Sequence, residues 1–275
     1  MNPDRCPRCG GSFHCGAQDG HCDCFDLHLS EALRERLASE YEGCLCLACL
    51  KALQQQEPVL YFSRNPNPRL AVAAARHLGA PVSFEWAAPF APGQAEKFRH
   101  LNPSLSLPIL AENGDSLWEA DAIACRLAQM TGSDFWRSGA ELPGMIRWLS
   151  WARDHFMRAC DMVHFERGTK LRYRLGTLDE AVVADGMSRF HAGAAVLEAQ
   201  LSRRDWLLPS GLSYADFRMA VFLPFNDVAR LPLAEYPAVT AWHQRLMALP
   251  AWADPFDGLD APELPPLPGR EPMPS

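Results

Sequence analysis

The stretch from Leu101 to Ile123, LNPSLSLPILAENGDSLWEADAI, constrains the fold of this chain more than any other. It carries an Asn-Pro turn, an apolar run broken by Pro108, an Asn-Gly turn at Asn113-Gly114, a second short apolar run, and then Glu119 and Asp121 opening a helix-like segment. These signals predict two strands joined by a hairpin and running into a helix. Proline lacks the amide proton that a paired strand uses. Pro108 is therefore expected at a strand start, in a cis turn that exposes the backbone of Leu107. An exposed backbone edge beside a helix N-terminus is suited to holding a small peptide.

The beginning of the chain obeys a different logic. Eight of the ten cysteines lie before residue 50: Cys6-x-x-Cys9, Cys15, Cys22-x-Cys24 and Cys44-x-Cys46-x-x-Cys49. No apolar run of signal-peptide length precedes them, so the clustering reads as metal binding rather than disulfides. Two Cys-x-x-Cys pairs, Cys6/Cys9 and Cys46/Cys49, can place four thiolates on one tetrahedral zinc. Cys15, Cys22, Cys24 and Cys44 can complete a second site, so about two zinc ions are expected. His14 and His21 are read as surface residues, with a ligand role as the alternative. A redox store of thiols, or a metal or oxidant sensor, is the alternative for the whole cluster. Leu33, Leu37 and Tyr41 recur at helical spacing after Ser30, a candidate N-cap. The opening C-x-x-C and closing C-x-C-x-x-C resemble the cysteine-rich CWC family, although Cys22-Asp23-Cys24 stands where that family has Cys-Trp-Cys. A unit of residues 1–52 is too small to be stable by burial alone, and metal would supply much of its folding free energy.

A polar connector leads to Pro58; a chain of 275 residues is long enough for about two domains. Val59 to Phe62 reads as a buried strand, and Val82 to Trp86 as another. Between them, Leu70 to His77 reads as a helix closed by Gly79. Residues before proline avoid the helical region, so the helix is expected to begin no earlier than Pro68, with Asn67 as its N-cap. Ser63 and Asn65 then lie in the loop ahead of it.

Beyond a linker near Thr131 to Leu142 the chain turns helical. Met145, Trp148, Trp151 and His155 recur on one face, Ala159 and Met162 continue it, and nothing breaks the pattern before Gly168. Further helices are expected over Leu178 to Leu201, over Phe217 to Phe225 behind a Ser213/Asp216 capping box, and over Ala238 to Met247. The tail from Phe256 carries six prolines in twenty residues and is expected to be extended or disordered.

Three stretches in order, LYFSRNPNPRLAVAAARHLGAPVSFEW, LNPSLSLPIL and LWEADAIACRLA, resemble the thioredoxin-like domain of the glutathione S-transferase family. The helical half, with its S/T-x-x-D helix start and Y-P-x-V-x-A-W pattern, resembles that family's C-terminal domain. The resemblance implies an α+β thioredoxin-like domain (residues 58–131), an all-α helical domain (142–255) and a Pro-rich tail (256–275), preceded by the zinc-binding cysteine-rich domain. It implies glutathione as co-substrate, attack by its thiolate on a small electrophile or reduction of one, and a homodimer.

Aligning Arg69 with the family's helix arginine puts Asn65 nearest the catalytic position and Ser63 two residues earlier. By the same resemblance the peptide would run along Leu107, just before Pro108. Its γ-glutamyl end would meet Glu119 and Ala120 at a helix N-terminus, and Gln94 would reach its other carboxylate. Trp148, Trp151 and His155 would wall the electrophile pocket, with plain interdomain core as the alternative. Two positions depart from the family pattern: Ser106 replaces a basic residue, and Ala120 replaces the hydroxyl that holds the γ-glutamyl carboxylate. One lost charge-assisted hydrogen bond costs roughly 1.5–3 kcal/mol. These departures favour a second hypothesis, a non-catalytic binding protein that uses the transferase fold as scaffold while the zinc module recruits a partner.

A net charge of −7 without a basic cluster argues against nucleic acid. No run of ~20 apolar residues suits a membrane span, so a cytoplasmic protein is expected. No cysteine lies between Ser63 and Arg69, which argues against dithiol exchange at that helix N-terminus. Cys125 and Cys160 read as packing residues.

Overall fold

The computed structural model describes residues 4–16, 20, 22–27, 29, 31–54, 57–112 and 115–268, with the backbone alone at Glu31, Ala32 and Arg36. The expectations for His21, Ser30 and the Asn113-Gly114 turn lie outside the described residues.

The cysteine-rich unit is a two-stranded ribbon with two helices. Strand β1 (Asp4–Arg5) pairs antiparallel with β2 (Ser12–Phe13), Asp4 opposite Phe13. Helices α1 (Glu31–Glu40) and α2 (Leu47–Gln54) follow. Its core is small and its own: Cys6, Leu33, Leu37, Leu45, Cys49 and Leu53, with Tyr41 packed against it. The spacing of Leu33, Leu37 and Tyr41 places them on one face of α1, as expected.

A four-stranded mixed sheet begins at β3 (Val59–Phe62). It is flanked by α3 (Pro66–Leu78), β4 (Ser83–Trp86), the short α4 (Ala95–Arg99), β5 (Ile109–Glu112), β6 (Asp115–Trp118) and α5 (Ala120–Thr131). The strand order is β4-β3-β5-β6; β3 runs parallel to β4 and antiparallel to β5, and β5 pairs antiparallel with β6. Alternation along the strands serves two layers. Leu60 and Leu110 face α3 and α5 with Ala71, Val72, Ile123 and Leu127, whereas Ile109 faces Phe98 of α4 on the other side. The Leu107-Pro108 peptide is cis. The hairpin and following helix expected from the 101–123 stretch are therefore present.

Helix α3 corrects one expectation. It begins at Pro66 rather than Pro68, and the extended N-cap is Asn65 (φ −66°, ψ 159°), not Asn67. The amides of a helix's first turn have no intrahelical partner, so prolines at the first and third helical positions sacrifice nothing. The bias of pre-proline residues away from the helical region is overridden at Asn67, whose side chain is held from outside the helix by Arg218.

The helical half comprises α6 (Leu142–Asp154), α7 (Phe156–His164), a π-helical turn (Phe165–Thr169), α8 (Lys170–Arg172) and α9 (Glu180–Leu201). After these come α10 (Tyr214–Met219), α11 (Asn226–Ala229), α12 (Pro237–Met247) and α13 (Pro250–Ala253). The run expected to continue unbroken to Gly168 is interrupted at His155 (φ −123°, ψ −96°) and again at the π turn. Buried positions step through Met145, Trp148, Ala152, Phe156, Ala159 and Val163, in threes and fours straight across the kink, so the sequence period carries no mark of it. Helix α7 lies close along α9. A Cβ on Gly186 would stand 2.9 Å from Val163 Cγ2, and one on Gly193 3.1 Å from Phe156 Cα.

The expected capping box at α10 is present in both directions. Asp216, fully buried, accepts hydrogen bonds from Ser213 N (3.0 Å), Ser213 Oγ (3.1 Å), Leu207 N (2.9 Å) and Trp242 Nε1 (3.0 Å). It thereby ties a loop, a helix start and α12 into the core. Burial outweighs these donors and pushes its carboxyl up to about 6.

Through residue 268 the Pro-rich tail has no regular secondary structure, but it is pinned rather than loose. Phe256 stacks on Phe62 (5.6 Å, 17° between planes). Arg76 donates to the Asp257 carbonyl, Arg64 Nε to that of Ala261 (2.8 Å) and Arg172 Nη1 to that of Pro265 (2.9 Å). Among the described residues no helix is long and apolar enough to cross a membrane.

Candidate functional site

A cavity of about 930 Å³ opens where the loop after β3 faces α7 and the π turn. One wall is Ser63 to Pro68 with Trp86, Phe90 and Leu105 to Leu107; the other is Asp161, His164, Phe165, Thr169, Tyr173, Leu175 and Phe222. Pro262 to Pro265 of the tail complete it. Of the residues singled out in the sequence, Ser63, Asn65 and Leu107 meet here.

The loop geometry decides which donors are free. The N-terminus of α3 is poor in amides, since two of its first three residues are proline and only Asn67 has an N–H there. Side chains must supply the rest. Asn65 Nδ2 donates to Ser63 Oγ (3.2 Å), which leaves the Ser63 hydroxyl proton available. Asn67 Oδ1 accepts from Arg218 Nη1 (2.7 Å); a guanidinium can only donate, so the oxygen end of that amide is fixed and its NH2 is left for the cavity. Arg218 is itself positioned by Asp121 (3.1 Å), which also accepts from the buried Tyr214 hydroxyl (2.7 Å). A chain of contacts thus runs from α10 through the start of α5 to the loop. Among the described residues, neither backbone group of Leu107 is used in a backbone hydrogen bond, as the exposed edge requires.

The remaining expected residues lie elsewhere. Pro108 is buried under the cis turn, and Gln94, the exposed N-cap of α4, is outside the cavity lining. Glu119 is the exposed N-cap of α5 with φ 73°, a conformation uncommon outside glycine, and the Ala120 methyl is buried in the helical core. Neither touches the cavity.

The wall formed by Trp148, Trp151 and His155 needs correction. Trp148 meets Trp151 edge to face (5.6 Å between ring centres, 90° between planes), Trp151 stacks on His155 (5.3 Å, 27°), Trp148 is buried in the helical core, and none lines the cavity. The cavity lies beyond the kink, along α7 and the π turn. There burial pushes His164 down to about 4, with Arg172 adding to the effect, so its imidazole is neutral at pH 7. Burial raises the Asp161 carboxyl. Sequence reasoning missed these positions because the apolar face it followed through Ala159 and Met162 passes Asp161 and His164 by. Ser106, one of the two departures, is tied into its own turn by Asn102 Nδ2 (3.1 Å) and Ser104 Oγ (2.7 Å).

In the cysteine-rich unit the sulfurs of Cys6, Cys9, Cys46 and Cys49 all lie within 4.8 Å of one another, with Cys9 to Cys46 at 3.8 Å. Zinc–sulfur bonds of ~2.3 Å give a tetrahedron with edges of about 3.8 Å, so this donor set fits the ion. Desolvation works to raise the Cys6 thiol, but amides of Cys46, Cys9 and Arg8 donate to it and hold it at about 6, whereas desolvation and the neighbouring sulfurs push Cys49 up to about 12. Cys15, Cys22, Cys24 and Cys44 surround a second space of about 220 Å³, which His14 also lines. Cys22 and Cys24 stand 3.0 Å apart and Cys15 and Cys44 3.6 Å. Both separations are shorter than a zinc tetrahedron's edge of about 3.8 Å, the first by much the more.

Comparison with known proteins accords with this geometry. Residues 6–51 match the family model of the cysteine-rich CWC domain, and residues 180–245 that of the glutathione S-transferase C-terminal domain. The chain has the glutathione S-transferase fold behind a CWC domain. Among solved structures, glutathione S-transferase I from mais in complex with an atrazine glutathione conjugate superposes with a TM-score of 0.66 at 22% identity, covering 72% of this chain and 96% of that one. FtsZ-localized protein A of Caulobacter vibrioides is 27% identical over 176 residues, 59% of this chain and 77% of that one. The disulfide-bond oxidoreductase YfcG of Escherichia coli is 26% identical over 172 residues, 56% and 73% of the two chains.

Proposed function

We propose that this chain binds glutathione in the cavity and uses its thiolate against a small, largely apolar electrophile. The observation that carries the reading is the convergence of the Leu107 backbone edge with the side-chain donors of Ser63, Asn65 and Asn67 at the N-terminus of α3. A free thiol near 8.5 is mostly protonated at pH 7, and donors at a helix N-terminus favour its anion. In the reaction the thiol proton leaves to solvent, the sulfur lone pair forms a bond to the electrophilic carbon, and the leaving group departs with its bonding pair. Just outside the cavity, at the N-terminus of α5, Glu119 would meet the ammonium of the γ-glutamyl end and the Ala120 amide its carboxylate, and Gln94 would reach the other carboxylate. Phe165, Tyr173 and Leu175, rather than Trp148, Trp151 and His155, would face the electrophile. The CWC domain would hold zinc on Cys6, Cys9, Cys46 and Cys49 and a second ion on Cys15, Cys22, Cys24 and Cys44. A cytoplasmic homodimer fits this reading.

A second reading treats the fold as a binding scaffold, with the zinc module recruiting a partner. The Ala120 methyl and the internally satisfied Ser106 favour it, and one relative is named for localisation with FtsZ. Calorimetric titration with glutathione, followed by spectroscopic titration of the bound thiol, separates the two. Binding with a thiol pKa well below the free value supports the enzyme. Failure to bind at millimolar glutathione sinks it.

A further inference from the structure

Arg64 stands one residue before Asn65 in the cavity wall, and its guanidinium is turned to the C-terminal segment. Its Nε donates to the Ala261 carbonyl (2.8 Å), its Nη2 pairs with Glu263 Oε1 (2.9 Å), and its Cζ lies 4.8 Å above the Phe256 ring. Across the cavity, Arg172 Nη1 donates to the Pro265 carbonyl (2.9 Å). Residues 261–265 therefore span the cavity as a strap moored at both ends.

The moorings differ in kind. Those at Ala261 and Pro265 use backbone carbonyls and persist whatever side chains the strap carries. The pair with Glu263 joins two side chains of unequal exposure, 25% for Arg64 and 81% for Glu263. An ion pair whose acid is largely in water is weakly held and exchanges readily. Its guanidinium, set in the wall, is the group best shaped for bidentate recognition of a carboxylate. The surface beyond it is apolar and open: Phe90 is 76% exposed, Leu175 61%, Tyr173 42% and Trp86 40%. A cation beside a broad aromatic wall suits an anionic, largely apolar ligand.

We infer that Arg64 is the anion seat of this cavity, that Glu263 occupies it from within the chain, and that a carboxylate-bearing apolar ligand binds by taking Glu263's place while the strap stays moored. The inference rests on the cavity being a ligand site, as proposed above, but not on glutathione being the ligand.

The test uses the full chain with two fluorescent probes, pyrenebutyrate and its neutral analogue pyrenebutanol. The wild type should bind the acid more tightly than the alcohol. Glu263→Gln should tighten the acid by about two- to fivefold, the range an exposed ion pair spans, and leave the alcohol unchanged. Arg64→Gln should bring the acid down to the alcohol's affinity, and in that background Glu263→Gln should have no further effect. Equal binding of acid and alcohol by the wild type, no binding of either, or an unchanged or weakened acid affinity in Glu263→Gln overturns the inference. Glutathione titrated into the same proteins keeps the two readings apart. The pyrene pattern without glutathione binding defeats the proposed function and leaves the anion seat standing, whereas glutathione binding without that pattern does the reverse.

Discussion

Replacing Asp216 by alanine is the most demanding perturbation of the helical half. Its two oxygens accept from Leu207 N, Ser213 N, Ser213 Oγ and Trp242 Nε1, all in the fully buried capping box. Alanine leaves these donors without an acceptor. The Ser213 hydroxyl can rotate to another partner, but the two amides and the indole cannot. Three orphaned buried donors at ~1–3 kcal/mol each put the loss at about 3–9 kcal/mol. That is comparable to the ~5–15 kcal/mol by which a domain is stable. Urea unfolding followed by far-ultraviolet circular dichroism should show the helical transition at a much lower midpoint, or no folded baseline at all. The pH dependence has a definite sign. Burial raises this carboxyl from 3.8 to about 6, so its contribution is full below 3.8 and declines as pH rises through 6. The gap between wild type and variant should therefore widen as pH falls from 7 to 4, by on the order of 3 kcal/mol. A loss under about 1 kcal/mol at pH 7, or a gap that narrows on acidification, would refute the reasoning.

Elemental analysis should find at least one zinc per chain, reduced by one equivalent in Cys9→Ser and Cys46→Ser. Because the cysteine-rich core is separate from the others, these variants should leave the melting of the transferase-fold part unchanged; a metal-free, folded N-terminus would overturn the assignment. Glu166, buried within the π turn, accepts from Lys170 Nζ (2.8 and 3.0 Å) and from Asp179 N (2.8 Å), which hold its carboxyl below the usual 4.5. Its contribution is present above 4.5 and lost as pH falls through the lower folded value, so the stability of Glu166→Gln should drop less than that of the wild type on acidification below 4.5, measured by thermal melts at stepped pH.

The elements that could be read from the sequence are those whose signal is local. Strand β3 has the expected bounds because Val59 to Phe62 is a short apolar run between polar connectors, and proline's missing donor keeps Pro108 just ahead of β5, where its tertiary amide makes the cis bond accessible. The Cys6, Cys9, Cys46 and Cys49 tetrad was legible because C-x-x-C spacing nearly specifies a tetrahedron. Other features depend on distant partners. Asn67 resembles an N-cap until Arg218, far along the chain, is seen to hold it. The kink at His155 is silent because the apolar steps are the same on both sides of it. Ala261 to Pro265 look like part of a free tail, since nothing in their composition reveals that Arg64 holds the carbonyl of Ala261 and Arg172 that of Pro265.

The close approach at Gly186 and Gly193 reaches further than the helix pair it joins. Helix α7 runs directly into the π turn, and that turn presents Phe165 and Thr169 to the cavity. The distance between α7 and α9 therefore fixes how far the aromatic wall stands from the loop of Ser63 and Asn65. For anyone selecting variants with a changed ligand range, the breadth of the cavity is governed from behind. Alanine or serine at these two glycines would wedge α7 off α9 and narrow the opening without altering a single residue that a ligand meets.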